Sequence, residues 1–415
     1  MRRMNGIGAV IFIAVLLLIE YYAFSALKFA VRSAKPVTRT WILGVYAIVS
    51  LLWLATLVSF PMIRTAEMSQ SLRNVLISFA MGFLIAKLAV ALILGIDDIR
   101  RFLYSLAGLF FPQHEIPVQV MKGMSRSQFF NRAALLFGGS LFGVLLYGMS
   151  NRYNYQVKKI KLAFDNLPHP FKGLKIVQIS DIHSGSLNNL AGVRKGIDMI
   201  MAQKPDIIFF TGDLVNNKSE EMDNHMDVFS ALKAPMGVYS ILGNHDYGDY
   251  VEWESEAAKQ ANLNRLKSIH QQLGWRLLLN EHIVLEQEGQ QIGVIGVENI
   301  SSKRFHSYGD LAKAYQGSEA LPFKILLSHD PSHWDGETNQ KFQDIDLTLS
   351  GHTHGMQFGV DIPGLKWSPV QYFYKQWAGI YQQGKQFLYV NRGFGFLGYP
   401  GRVGIMPEIT VIHLV

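Results

Sequence analysis

The sequence predicts two parts: an all-α transmembrane region of about four helices over residues 1–150, and an α/β domain over 155–415. Three observations carry this reading. Of 415 residues, 49% are hydrophobic and only 17% charged, and mean hydropathy lies above zero. Four long apolar runs fall within the first third. Beyond about 155, short apolar strands alternate with helical stretches, the pattern of a sheet covered by helices. This composition excludes a disordered chain. The absence of cysteine excludes disulfides, thiolate metal sites and cysteine nucleophiles.

The apolar runs lie at about 7–27, 41–60, 74–95 and 133–149. A helix needs about 20 apolar residues to cross the hydrocarbon core. The first three runs reach that length; the fourth is shorter and contains glycine. Arg2 and Arg3 before the first run are compatible with a cleaved signal, but three further runs favour an uncleaved anchor. Residues 1–150 hold 14 Lys/Arg against 5 Asp/Glu, net +9, which leaves 25 against 27, net −2, for 151–415. The basic excess belongs to the membrane part, so nucleic-acid binding is not expected.

Lys/Arg counts in short loops set orientation. Lys28, Arg32, Lys35 and Arg39, with Arg100, Arg101, Lys122, Arg126 and Arg132 of a 96–132 loop, lie on one side. Arg2, Arg3, Arg64 and Arg73 lie on the other. The 155–415 domain is therefore expected on the exported side. Arg152, Lys158, Lys159 and Lys161 count against this unless they belong to the domain's first strand. The segment SRSQFFNR (125–132) resembles a twin-arginine export signal lacking its second arginine. Glu20 and Lys87 lie at matching depth on parallel spans one and three, and either pair or snorkel separately.

In the domain, strands are expected at 175–180, 206–212 and 237–243, with helices near 189–203, 222–233 and 252–273. The segments 276–280, 282–286 and 291–297 read as antiparallel strands, and 324–328, 345–350, 386–390 and 409–414 complete the set. Five strand ends carry polar side chains. They supply Asp181 and His183; Asp213; Asn244, His245 and Asp246; His329; and His352 and His354. Each cluster alone reads more readily as a turn, a helix cap or a surface hairpin. Their recurrence at successive strand ends, where α/β sheets place their chemistry, argues for one site. Alternation in an extended chain predicts that Asp181 and His183 converge on one point, and likewise His352 and His354. Carboxylate, amide and imidazole donors without sulfur suit Mn, Fe, Zn or similar divalent ions. Two ions about 3.5–4 Å apart need a shared ligand, for which Asp213 is the natural candidate, and water held between them becomes a nucleophile near neutral pH.

The set DIH, GDLV, GNHD, SH and GHTH resembles the calcineurin-like metallophosphoesterase superfamily. The match is best to its bacterial membrane-associated branch, through NLPHPFKGLKIVQISDIHSG and YVNRGFG…PEITVIHL. The resemblance covers about 155–415. It implies a β-sandwich flanked by helices, a bacterial inner-membrane location and two divalent metal ions. One ion would be held by Asp181, His183, Asp213 and His354, the other by Asp213, Asn244, His329 and His352. It further implies that His245 binds a phosphate oxygen or protonates the leaving group, with Asp246 orienting it. The tyrosine ligand of purple acid phosphatases has no counterpart at Leu214, Val215, Asn216 or Asn217.

His114, His169, His225, His270, His282, His306, His333 and His413 read as structural or exposed, with His306 and His333 the nearest to exceptions. Asp330 reads as a turn or supporting residue. Arg392 and Arg402 are candidate phosphate contacts. The stretch 358–399 is dense in aromatics, which read as packing or as an apolar rim suited to a lipid-linked phosphate. The resulting function is a di-metal hydrolase of phosphomono- or phosphodiesters, attacked by metal-bound hydroxide, with the bilayer and a phosphate ester as partners. The rivals are a catalytically silent, membrane-anchored metal-binding protein and a channel or transporter. Retention of His245 beside a full donor set argues against the silent form.

Overall fold

The computed structural model describes residues 6–59, 70–110, 126–303 and 305–415. Arg2, Arg3, Arg64, Lys122, His114 and Ser125 lie outside these residues. Two compact units form, Met1–Tyr147 and Gly148–Val415.

The first unit contains helices α1 (Gly6–Ala30), α2 (Pro36–Val58) and α3 (Gln70–Phe110), with α4 (Arg126–Gly148) running to its end. Each is long and apolar enough to cross a membrane, the fourth because its helix opens at Arg126 rather than near 133. The expected 96–132 loop is helical through Phe110. Salt bridges one turn apart, Arg100 to Asp97 at 2.8 Å and Arg101 to Asp97 at 3.5 Å, support the extra turns. Within the bundle, Lys87 of α3 pairs with Glu20 of α1 and donates to Ser50 Oγ of α2 at 2.9 Å. The ammonium lies 3.9 Å from the Trp53 ring centroid, and the Trp53 indole donates to the Ala80 carbonyl at 2.9 Å. One charge pair thus ties three helices where no water competes. Gly138 lets α4 approach α3 closely: a Cβ there would stand 2.9 Å from the Ala86 carbonyl oxygen.

The second unit is a sandwich of two six-stranded sheets. Sheet one runs β1 (Gln156–Leu162), β14 (Glu408–Leu414), β2 (Lys175–Ile179), β3 (Ile207–Phe210), β4 (Val238–Ser240) and β5 (Arg276–Leu277). Sheet two runs β12 (Gly379–Gln383), β13 (Gln386–Val390), β9 (Leu347–Ser350), β8 (Lys324–Leu327), β7 (Gln290–Gly296) and β6 (Glu281–Gln287). A separate hairpin joins β10 (Val360–Ile362) to β11 (Leu365–Trp367). Period-two alternation divides the core. Ile176, Phe209 and Ile412 of sheet one meet Val294, Ile325, Leu327, Leu347 and Leu349 of sheet two inside the sandwich. The alternate residues Val177, Ile179, Ile208 and Phe210 face α5 (Leu190–Met201) and, beyond the short α6 (Met226–Phe229), the long α7 (Glu256–Gln272). With both faces covered, these strands read as unbroken apolar runs.

Two expectations change, and one open point is resolved. Segment 276–280 does not join 282–286 in an antiparallel set. Its first two residues form β5, which pairs parallel with β4 in the other sheet. The helix expected near 222–233 shrinks to Met226–Phe229 after a 3₁₀ turn. Lys158, Lys159 and Lys161 lie in β1, an edge strand on which lysine discourages further pairing.

Candidate metal centre

β2, β3 and β4 run parallel in one sheet, and β8 and β9 run parallel in the other. Their carboxyl ends meet at one seam. Gln178 donates to the Ser350 carbonyl at 2.9 Å, and the His329 ring meets the Thr211 carbonyl at 2.7 Å, so each sheet is bonded to the other beside the site. The expected metal ligands gather here, with His245 and Asp246 beside them. Asp181, His183 and His354 form one group of potential metal-holding side chains, and Asp213, His329 and His352 another. Asp213 Oδ2 lies between the groups, 3.5 Å from His183 Nε2 and 3.2 Å from His329 Nε2. Asn244 Oδ1 stands 2.8 Å from His352 Nδ1.

The convergence does not arise from extended alternation. Asp181, His183, Asp213, His352 and His354 all adopt left-handed backbone, with φ between 48° and 71°. Tight turns redirect each side chain, and His352 and His354 consequently diverge into different groups. Side-chain residues held this way cost about 1–3 kcal/mol each and cluster at functional sites. Backbone contacts enforce the shape. The His352 N–H donates to both Asp181 oxygens at 3.0 Å, and the Asp213 carbonyl accepts from His183 N at 3.1 Å.

The donor set fits cations. His329 presents Nδ1–H to the Thr211 carbonyl, which turns Nε2 toward Asp213 Oδ2 at 3.2 Å, where a proton or a cation is needed between ring and carboxylate. His183 Nε2 and His354 Nε2 face one another at 3.0 Å, and the latter lies 3.3 Å from Asp181 Oδ1. Tyr374 donates its one proton to Asp330 Oδ2 at 3.3 Å, which assigns His352 Nε2, 2.8 Å from that hydroxyl, as a donor. His352 Nδ1 then directs its lone pair at the Asn244 oxygen. Carboxylate, amide and imidazole donors crowded this closely in a buried site fit a cation.

Titration follows the same logic. Burial opposes a charge on His329, but the Asp213 carboxylate outweighs it and pushes the ring up to about 10. Burial tends to raise Asp213, yet His329 and its other imidazole neighbours hold it well below the usual carboxylate range. Burial raises Asp181 to about 6 and lowers His183 to about 3. It also lowers His352 and His354.

Three assignments are corrected. Asp246 does not orient the His245 imidazole. Its oxygens accept from the backbone N–H groups of Gly243, Asp213, Leu214 and Val215, at 2.8, 2.9, 2.8 and 3.2 Å. The imidazole is held instead by the Asn216 carbonyl, 2.7 Å from Nδ1. Arg392 is buried and paired with Glu408 and with Asp361, the latter at 2.9 Å. Arg402 is fully buried and donates to the carbonyls of His354 at 3.2 Å and Arg392 at 2.7 Å. Neither guanidinium is open to a substrate.

His333 is buried beneath sheet two against Ser328 and Glu337, and His306 is exposed; neither lines the cavity described below. Three supporting groups escaped the sequence reading: the Asn216 carbonyl, the Tyr374 hydroxyl and the Tyr250 hydroxyl, which takes a 2.8 Å hydrogen bond from the Asn244 amide. Only tertiary placement reveals them. His183, Asp213, Asn244, His245, His352 and His354 line a cavity of about 610 Å³. Its mouth is formed by Lys303, Phe305, Met356, Tyr372 and Phe373.

Known proteins are similar to this chain. The calcineurin-like phosphoesterase model matches residues 174–356, and a model for the transmembrane domain of probable calcineurin-like phosphoesterases matches 4–152. An uncharacterized metallophosphoesterase of Bacillus subtilis, YkuE, is 32% identical over 71% of this chain and 99% of its own length. The chain belongs to the calcineurin-like metallophosphoesterase family. Such an enzyme is a hydrolase of phosphoric ester bonds, and this metallophosphoesterase is a multi-pass membrane protein. A zebrafish transmembrane protein with metallophosphoesterase domain is 28% identical over 65% of this chain and 60% of its own. A UDP-2,3-diacylglucosamine pyrophosphatase of Chlamydia muridarum, LpxG, is 27% identical over 61% of this metallophosphoesterase and 88% of its own length.

Proposed function

We propose that this chain is a di-metal phosphoesterase acting on phosphomono- or phosphodiesters, including lipid-linked pyrophosphates, from the exported side of a bacterial inner membrane. The observation that carries the reading is Asp213, whose carboxylate stands within 3.5 Å of imidazoles from both groups. Asp181, His183, Asp213 and His354 would hold one divalent ion, and Asp213, Asn244, His329 and His352 the other. Ions bound there supply charge neutralisation for the phosphoryl group and lower the pKa of water to the neutral range.

The chain's own groups do the rest. Asn216 fixes the His245 ring through Nδ1, which leaves Nε2 to bind a phosphoryl oxygen or give its proton to the leaving oxygen. The His245 backbone N–H holds Asp213 Oδ1 at 2.8 Å, so ligand and acid share one loop geometry. Tyr374 and Asp330 lock the His352 ring, as outer carboxylates do for metal-bound histidines. The aromatic mouth and the name of the Chlamydia relative support a lipid-linked substrate.

Purified full chain, loaded with Mn²⁺, is expected to hydrolyse bis-p-nitrophenyl phosphate. Confirmed metal binding without turnover would favour the catalytically silent reading. A C-terminal tag reachable by impermeant reagent in intact cells tests the orientation, and labelling only after lysis would reverse it.

A further inference from the structure

The β10–β11 hairpin stands apart from both sheets. Its register pairs Val360 with Trp367, Asp361 with Lys366 and Ile362 with Leu365. Directly opposed residues share a face, and successive residues alternate. One face therefore carries Asp361 and Lys366, and the other carries Val360, Ile362, Leu365 and Trp367.

The charged face is satisfied by the domain. Asp361 binds Arg392 at 2.9 Å and Lys158 at 3.7 Å, and the Lys366 ammonium bonds the Ala378 carbonyl. The apolar face is left outward. Ile362 and Leu365, flanking the tip, are 58% and 53% exposed. The patch continues toward the catalytic cavity. Trp367 leads along the chain to Tyr372 and Phe373, 74% and 63% exposed, which line the cavity. An aliphatic tip backed by Trp, Tyr and Phe has the composition of an interfacial membrane anchor, with aromatics at headgroup level.

We propose that this hairpin and the adjoining 367–373 segment insert into the lipid surface of a bilayer. The occupant is named by the chain itself, which crosses a bilayer four times. β1 opens at Gln156, five residues beyond the end of the fourth span at Asn151. Lipid is therefore the apolar phase present at the highest effective concentration. Asp361 and Lys366 lie on the opposite face with their charged groups bonded to Arg392 and to the Ala378 carbonyl, so no charge stands among Val360, Ile362, Leu365 and Trp367, as immersion requires.

The test does not depend on the hydrolase reading, because it measures depth rather than turnover. The chain contains no cysteine, so Leu365→Cys and, separately, Ile362→Cys introduce single nitroxide sites into the full-length protein. Glu286→Cys on exposed β6 serves as the aqueous reference. The proteins are reconstituted in phosphatidylcholine nanodiscs, and collision with oxygen is compared with collision with a water-soluble nickel chelate. The oxygen-to-nickel ratio at 362 and 365 is expected several-fold above that at 286. Equal ratios at all three sites would leave the hairpin in water and overturn the proposal. Low collision with both reagents would place protein, such as a second copy of this chain, over the face, and would overturn it equally.

Discussion

Asp246→Ala removes one acceptor from four buried backbone donors, those of Gly243, Asp213, Leu214 and Val215. Hydrogen bonds to a charged partner contribute about 1.5–3 kcal/mol each, and a stranded buried donor costs about 1–3 kcal/mol. Against this stands the cost of burying the carboxylate. Burial, reinforced by the Asp213 charge, raises it to about 7 despite the N–H bonds. Breaking a buried charged network by removing one partner typically costs about 3–5 kcal/mol. For a unit of this size, each kcal/mol lowers the melting temperature by about 2–4 °C. A fall of roughly 6–20 °C follows. Thermal unfolding of the full chain in detergent, followed by tryptophan fluorescence beside His245→Ala, reads the effect. His245→Ala is expected to melt near the parent while losing turnover. If Asp246→Ala also melts within about 2 °C of the parent and loses turnover as His245→Ala does, Asp246 acts through the imidazole and the loop-holding role is wrong.

His245→Gln is expected to keep its metal content and lose about 10²–10⁴-fold in turnover, most with poor leaving groups; metal loss on elemental analysis would make His245 a ligand. The metal-free His329 ring is pushed up to about 10 by Asp213, so at pH 7 it holds a proton that an entering cation must displace. Uptake should release about one proton from this ring and weaken as pH falls, which calorimetry in buffers of different ionisation enthalpy measures; buffer-independent heats would refute it. In the bundle, Lys87→Met strands Glu20, so Glu20→Gln and Lys87→Met combined should cost less than the sum of the two single variants, by a coupling of about 0.5–3 kcal/mol; simple additivity would dissolve the pair.

Much of the site was legible because apolar strands end abruptly in Asp, Asn and His, and parallel strands deliver such ends to one edge. The matching depth of Glu20 and Lys87 was legible, but only the fold chooses their pairing over separate snorkelling. The geometry within the turns was not. Left-handed backbone at His352 and His354 sends neighbouring rings to different groups, which no period-two rule anticipates. Arg392 and Arg402 follow the strand β13 in the chain and suggest phosphate contacts, yet Glu408 and backbone carbonyls claim them in the fold. β10 and β11, three residues each, and β5, two residues, are too short for alternation to be read. The Asn216 carbonyl has no side-chain signature at all.

The seam between the sheets has a consequence for biosynthesis. Asp181, His183, Asp213, Asn244 and His245 follow strands of sheet one, whereas His329, His352 and His354 follow strands of sheet two. A growing chain that has emerged only as far as α7 offers carboxylates and one imidazole pair, but none of the later rings. Sheet one also waits for β14, which follows the other strands of both sheets in the chain, to lie between β1 and β2. The donor set therefore cannot assemble until strands of both sheets have been made, and a cation held there would fasten one half of the domain to the other.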